Sequence, residues 1–400
     1  MKLRSNSIKT AFSDKGIQLL LIVGLTVSFI LSCYIHIPMA FDGTNPYDFP
    51  NYYFGGKRVL EGRPIYDYLE KEVYETLGWH NSVYPADPPL TVLLLSPLAL
   101  LSYVNAWILW AILSTLLFSL SIFFTAKELG FRARVAILFV AIALSSNPFR
   151  LLLFSNHAET LLLATSISGW ILLRRKYERL GLLMWAIAAN LKLFPLLWIV
   201  GSYRLMGKRK IAEALLSFLA IFFISGCLIG LNNLNVFLFD VIARSRLWYG
   251  VVSNCSLLSF IYAFNLNALA WVAEVLFAFL VTVFILKRKN TDLDCQWTAL
   301  VVASLILSPL CWWRYLILVF PVILILAFSN KHKSSQFDYL LLLAALIMWG
   351  WPEYIDTGFP VISILLSFVP LAVLAALYWI SLIGCRSISH PLVSMTDEKI

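Results

Sequence analysis

"VNAWILWAILSTLLFSLSIFFTA", Val104 to Ala126, carries no charged side chain, and Lys127, Arg132 and Arg134 follow it at once. A helix of that length crosses a hydrocarbon core of about 30 Å. The apolar residues do not alternate with polar ones, so the block reads as a helix and not as a strand of a membrane barrel. Similar blocks recur along the 400 residues, of which 60% are hydrophobic and only 13% charged. Soluble domains have about a quarter of their residues charged. The expectation is therefore one all-α polytopic membrane domain over residues 1–400, a bundle of about 10–12 transmembrane helices by block length.

The charge pattern orients the bundle. The net charge of +9 does not point to nucleic acid, because the basic residues sit in short loops between apolar blocks, the positive-inside arrangement. Ile17 to Ile37 lacks a cleavage pattern after it and reads as a retained first span. Its leading Lys2, Arg4, Lys9 and Lys15 are then cytoplasmic. Residues 38–103 form a long first outer loop, with eight carboxylates against four bases between Pro38 and Pro88. Leu90 to Leu101 is too short to span and holds Pro97, so it reads as an interfacial helix inside that loop.

After Val104 to Ala126, full spans are expected at Val135 to Pro148, Ala158 to Leu173, Ile211 to Leu231, Ala268 to Leu286, Trp297 to Cys311, Tyr315 to Ser329, Tyr339 to Trp349 and Phe359 to Gly384. Asn232 to Ser256 is expected as a polar outer loop. Gly181 to Tyr203 is flanked by two basic clusters, Arg174 to Arg179 and Arg204 to Lys210. Two half-helices bent at Lys192 and Pro195 would keep both clusters on one side, a break tolerated where protein surrounds it. No internal repeat stands out. The six cysteines are scattered without paired spacing and imply neither a disulfide framework nor a metal site.

Few residues are left to carry chemistry. Asp48 precedes Pro50 and a helix that passes Tyr52, Gly55 and Val59 on one face and stops at Gly62. Asp48 is open between an N-cap and a functional acid. Lys192, inside an apolar segment beside Pro195, either faces an interior partner or snorkels to the surface. Arg314, after Trp312 and Trp313, either grips a phosphate or anchors an aromatic belt. Asp87 before two prolines is a turn residue or a second acid. Asn254 contacts a ligand or satisfies loop backbone. Asp292-Leu293-Asp294 mimics a metal-binding Asp-x-Asp but follows Lys287 to Lys289, so it reads as a solvated cytoplasmic turn.

The order Asp48, Tyr52, Gly62, Ile65, Tyr66, Asp67, followed by "YPADPPLTVLLLSPLALLS", resembles the first outer loop of glycosyltransferase family 87. These are α-1,2-mannosyltransferase-like polytopic enzymes of the GT-C class. Further echoes are "NLKLFPLLWIVGSYRLMGKRK", similar to that family's Lys-x-x-Pro segment, "SNCSLLSFI", and "SPLCWWRYLILVFP". The resemblance runs from about residue 45 to 325.

It implies a hexosyltransferase, mannose-like in its sugar, taking the hexose from a polyprenyl-phosphate donor. Transfer would go to a glycolipid, polysaccharide or protein acceptor on the outer face of a bacterial inner membrane. No cofactor or metal is implied. Asp48 would be the general base, and Lys192 and Arg314 would meet the donor phosphate. Tyr52, Asp87, His157, Glu159 and Asn254 would line the substrate site. Two departures stand out: Arg314 replaces a frequent His, and His157 and Glu159 in "SNHAET" replace amides. A structural His157–Glu159 pair at a helix start is the other reading of that segment. The competing classes are a lipid-linked sugar transporter, which more often shows repeat symmetry, and a non-catalytic assembly subunit.

Overall fold

The computed structural model describes residues 48–78, 85–251, 253–287, 292–329, 343–347, 350 and 360–383. The expected first span, Ile17 to Ile37, lies outside them, as does most of Tyr339 to Trp349. The described chain is helical throughout, its one strand-like contact being an isolated bridge between Asn254 and Trp312. It is an all-α polytopic membrane protein.

The segment expected as the first outer loop contains α1 (Phe49–Leu60), α2 (Glu70–Leu77), α3 (Pro89–Leu95) and a 3₁₀ turn, Ser96–Leu100. Pro at the start of α1 suits a position whose N–H would be unsatisfied anyway, and Gly62 beyond its end takes φ +65°. The apolar face of α1 packs on α4 (Tyr103–Glu128): the Phe49 ring meets Tyr103 and Trp107 edge-on at 5.5 and 5.2 Å. Gly56 lies so close to the 3₁₀ turn that a Cβ there would stand 2.7 Å from Ser96 Cα. Arg58 is buried and donates to the Glu72 carboxylate at 2.9 and 2.7 Å and to the carbonyls of Pro64 and Tyr68.

Next come α5 (Ala133–Leu144), α6 (Asn147–Ser155), α7 (Glu159–Arg174) and α8 (Glu178–Leu191). The expected single span from Val135 to Pro148 is a correction: the chain breaks at Ser145 and Ser146, and α5 and α6 meet at 64°. Ser146 accepts a hydrogen bond from the Phe149 amide and restarts the helix as its N-cap, with Pro148 in the first turn. α7 and α8 approach through glycines. The Trp185 indole lies where a Cβ on Gly169 would go, and Gly181 sits against Leu173.

α8 ends at Lys192, whose backbone is extended. The chain resumes as α9 (Leu196–Gly201) and α10 (Tyr203–Met206), then α11 (Lys208–Ile229). At one end of the molecule Glu178 pairs with Lys210, and Arg179 reaches Glu213 at 3.0 Å. Further along, the Asn190 amide donates to the Phe218 carbonyl at 3.1 Å. α8 and α11 therefore run in the same direction, and residues 192–207 must double back between them. Both basic clusters lie at one end, as the bent half-helices required.

The same end gathers Glu128, Arg174, Arg175 and Asp294: Arg175 pairs with Glu128 at 2.8 Å, and Arg174 with Asp294 at 3.3 Å. Asp292 caps α15 (Leu293–Leu307). Asp294 is buried and accepts from the Trp170 indole at 3.0 Å, so the Asp-x-Asp segment is half capped and half buried, not a solvated turn. The expected polar loop Asn232 to Ser256 also differs. It opens as α12 (Leu231–Val236) and continues as short helical turns to Trp248, with Phe239, Leu247 and Trp248 exposed.

α13 (Leu257–Tyr262) and α14 (Asn267–Lys287) precede α15, and a 3₁₀ turn (Trp313–Leu318) leads into α16 (Val319–Ser329). α17 (Pro360–Ser367) and α18 (Val369–Ile383) follow, bent by 41°. Among the described residues two helices, α4 and α11, are each long and apolar enough to cross a membrane. The count rises to four if each bent pair is one span. Other paths through the bundle are made of shorter pieces. The main core centres on Trp170, Trp185, Trp198, Trp297 and Trp313, all essentially buried.

Candidate active site

At the end opposite the basic clusters, seven of the expected residues converge from five segments. Asp48 stands at the start of α1 but makes no side-chain cap hydrogen bond. Its Oδ2 lies 3.0 Å from Arg314 Nη1. The capping reading of Asp48 therefore fails. Arg314 is carried by the 3₁₀ turn, its guanidinium 5.3 Å from the Trp312 ring and 6.0 Å from the Tyr315 ring.

Glu159, at the first turn of α7, is completely buried. Its Oε1 lies between both cations, 3.6 Å from Arg314 Nε and 3.9 Å from Lys192 Nζ. Those separations are long for hydrogen bonds. Its other oxygen pairs with His157. The Tyr52 hydroxyl is 2.8 Å from His157 Nδ1, so α1 is tied to the α6–α7 corner. That corner exists because Asn156 adopts the left-handed conformation, φ 50°, and its side-chain amide donates to the Trp107 carbonyl at 2.9 Å.

Lys192 projects from the break after α8 and pairs with Asp87. Thr91 on α3 donates to the Leu191 carbonyl at 2.9 Å, which docks the break against the segment bearing Asp87. The Asp87 carbonyl in turn accepts from the Tyr66 hydroxyl at 2.9 Å. The snorkelling reading of Lys192 is excluded by this inward pairing, and Asp87 is an ion-pair partner as well as a turn residue.

Asn254 plays a different part. Its side chain accepts from the Cys311 amide at 2.7 Å and donates to the Pro309 carbonyl at 2.9 Å. It clamps the strand-like segment that delivers Trp312 to Arg314, which is the loop-backbone reading. Tyr315 was not among the sequence candidates. Its buried ring lies 5.4 Å from Lys192 Nζ, and together with the Arg314 contact it places one aromatic face beside both cations.

The site thus holds three carboxylates (Asp48, Asp87, Glu159) and two fixed cations (Lys192, Arg314), with His157 and Tyr52 behind them. Burial is graded. The Asp48 side chain is 22% exposed, Arg314 16%, Lys192 15%, Asp87 8% and Glu159 0%. Asp48 is the outermost acid and Glu159 the innermost. Among the described residues no group of His, Cys, Asp and Glu is arranged to hold a metal ion.

A buried cluster of acids and cations at one end of a membrane helix bundle marks a functional site within the bundle. The chain belongs to glycosyltransferase family 87, whose pattern it matches over residues 86–321, more than half its length. It is a glycosyltransferase. The match takes in Asp87, His157, Glu159, Lys192, Asn254 and Arg314 but begins after Asp48 and Tyr52. No curated protein matches the chain.

Proposed function

We propose that this protein transfers a hexose, mannose-like in character, from a polyprenyl-phosphate donor to a cell-envelope acceptor on the outer face of a bacterial inner membrane. Asp48 is the general base. The acceptor hydroxyl attacks the anomeric carbon as its proton passes to Asp48, a C–O bond forms there, and the bond from that carbon to the phosphate oxygen breaks. A single displacement of this kind inverts the anomeric centre. The leaving polyprenyl phosphate gathers negative charge, which Lys192 and Arg314 meet with fixed donors.

The observation that carries this reading is the convergence of Asp48, Lys192 and Arg314 on one cluster, from parts of the chain far apart in sequence. A base paired with one cation, and a second cation linked to the first through Glu159, supply what displacement of a lipid phosphate by a hydroxyl requires. Glu159 and His157 serve this arrangement as much as they face an acceptor, since one Glu159 oxygen lies between both cations.

The purified protein in detergent, given polyprenyl-phosphate mannose and a mixed envelope-lipid acceptor, is expected to release free polyprenyl phosphate and yield a mannosylated product by mass spectrometry. A transporter cannot do this without a sealed membrane. If donor from a panel of hexoses is never consumed, the transferase reading of this member is wrong.

A further inference from the structure

The cluster contains an internal conflict. The carboxylate expected to take a proton is held by the guanidinium expected to hold the donor phosphate, at 3.0 Å. A base whose oxygen is engaged by a cation has less of its lone pair to offer the acceptor proton. From this geometry we infer that Asp48 is an exchangeable plug. Donor phosphate displaces it from Arg314, so the base is released only when the donor is in place. The inference rests on the donor reading above and assigns an order of events to it.

Three features favour exchange over a permanent ion pair. Arg314 has an under-used donor: its buried Nε–H makes no hydrogen bond of normal length among the described residues, its near acceptor being Glu159 Oε1 at 3.6 Å. A phosphate offers two oxygens to a guanidinium fork in a way one carboxylate oxygen cannot. Arg314 would also not collapse when Asp48 leaves. Glu159 Oε1, the Trp312 ring and the Tyr315 ring all remain beside it. Finally, Asp48 is the most exposed acid of the cluster and sits before the first residue of α1, whereas Glu159 is wholly enclosed. The acid nearest solvent is the one that can swing toward an acceptor.

The arriving phosphate also adds a negative charge beside Asp48, and like charges disfavour the ionised form of a neighbouring acid. Displacement and activation then have one cause. Without donor, Asp48 is tied and the site is inert toward acceptor hydroxyls. Water attack on a donor that has not seated is suppressed for the same reason.

Farnesyl phosphate is a short probe for the test. The intact protein in detergent is treated with a water-soluble carbodiimide and glycine ethyl ester, and labelling of Asp48 is read by peptide mass spectrometry. Exposed Asp67 is the internal control. Saturating farnesyl phosphate is expected to raise Asp48 labelling several-fold and leave Asp67 unchanged. In a second arm, Asp48→Asn removes the competing carboxylate and is expected to bind farnesyl phosphate about tenfold more tightly, equivalent to about 1.4 kcal/mol. Asp67→Asn should bind as the parent does.

If farnesyl phosphate binds saturably but Asp48 labelling is unchanged or falls, the exchange is refuted while the donor reading stands. The same holds if Asp48→Asn binds equally or more weakly. Absence of any saturable binding to the parent protein would remove the donor reading and the exchange together.

Discussion

Lys192 shows how one residue's environment decides its role. A lysine in an apolar stretch costs about 2.5 to 3.5 kcal/mol at a membrane centre, and here the cost is offset by a break in the helix, a partner acid and an aromatic ring. Replacing it by Met keeps the stem and removes the charge. Lys192→Met is expected to raise the donor KM and lower kcat together, by about 10 to 100-fold in kcat/KM, because a phosphate contact is made in both ground and transition states. Steady-state kinetics with varied donor checks this. An unchanged donor KM would mean that Lys192 serves only to neutralise Asp87. Glu159→Gln keeps the shape and removes the charge shared by both cations. Its expected effect is on both cations at once, a loss in kcat/KM that is not the sum of the Lys192 and Arg314 losses.

At the scale of elements, α1 and the loop behind it fix where Asp48 stands. Gly56→Val would press a branched side chain into the backbone at Ser96 and tilt α1. The expected cost is about 1 to 3 kcal/mol, read as a lower thermal unfolding midpoint, with activity falling alongside it. The Arg58–Glu72 staple is the loop's other anchor. Burial pushes the Glu72 carboxyl up, but the hydrogen bond from Arg58 and the charges of Arg58 and Arg63 outweigh it and hold it below the usual carboxylate range. A depressed acid stabilises the folded loop above its unfolded pKa and loses that contribution as pH falls through the folded value. Proteolysis within residues 61–78 should therefore accelerate in acid, and Arg58→Met should show the same acceleration already at neutral pH.

How far the sequence reached can be judged element by element. The block Val104 to Ala126 specified its helix to within two residues, because block length and flanking charge are local signals. By contrast, the expected Trp297 to Cys311 lies four residues earlier, at Leu293–Leu307, and Tyr315 to Ser329 opens as a 3₁₀ turn. The break at Ser145 and Ser146 was also written locally, as a capping serine before Asn-Pro, but apolar residues on both sides masked it as one span. The helical turns from Leu231 to Trp248 were hidden because Asn232, Asn233, Asn235, Asp240, Arg244 and Arg246 interrupt an otherwise apolar run. The site was legible only in part. Asp48, Lys192 and Arg314 stood out as charges where charges are costly or as matches to a family pattern. Their mutual contacts could not be read, since they join residues far apart in sequence through the packing of five segments. Tyr315 carried no signal of its own, for an aromatic residue in an apolar run looks like any other core residue.

For the molecule as a whole, the doubling back of residues 192–207 decides which loops share a side. It brings Lys192 to the acidic end while Arg174 and Lys208 stay together at the other. Single cysteines at positions 174 and 208 should be labelled by a membrane-impermeant maleimide from the same face of sealed vesicles, and a cysteine at Asp67 from the opposite face. Labelling of 174 and 208 from different faces would mean that Gly181 to Tyr203 crosses the membrane. Everything assigned to the acidic end depends finally on Asp48 acting as a base and not only as the ion-pair partner of Arg314. The Asp48 side chain makes no cap hydrogen bond and Asn has nearly the same shape, so Asp48→Asn should insert, fold and bind farnesyl phosphate. The deciding measurement is its rate of sugar transfer from polyprenyl-phosphate mannose, compared with the parent protein in the same detergent. Loss of at least about 100-fold is expected from removing a general base, whereas turnover within a few-fold of the parent would contradict a catalytic role for Asp48.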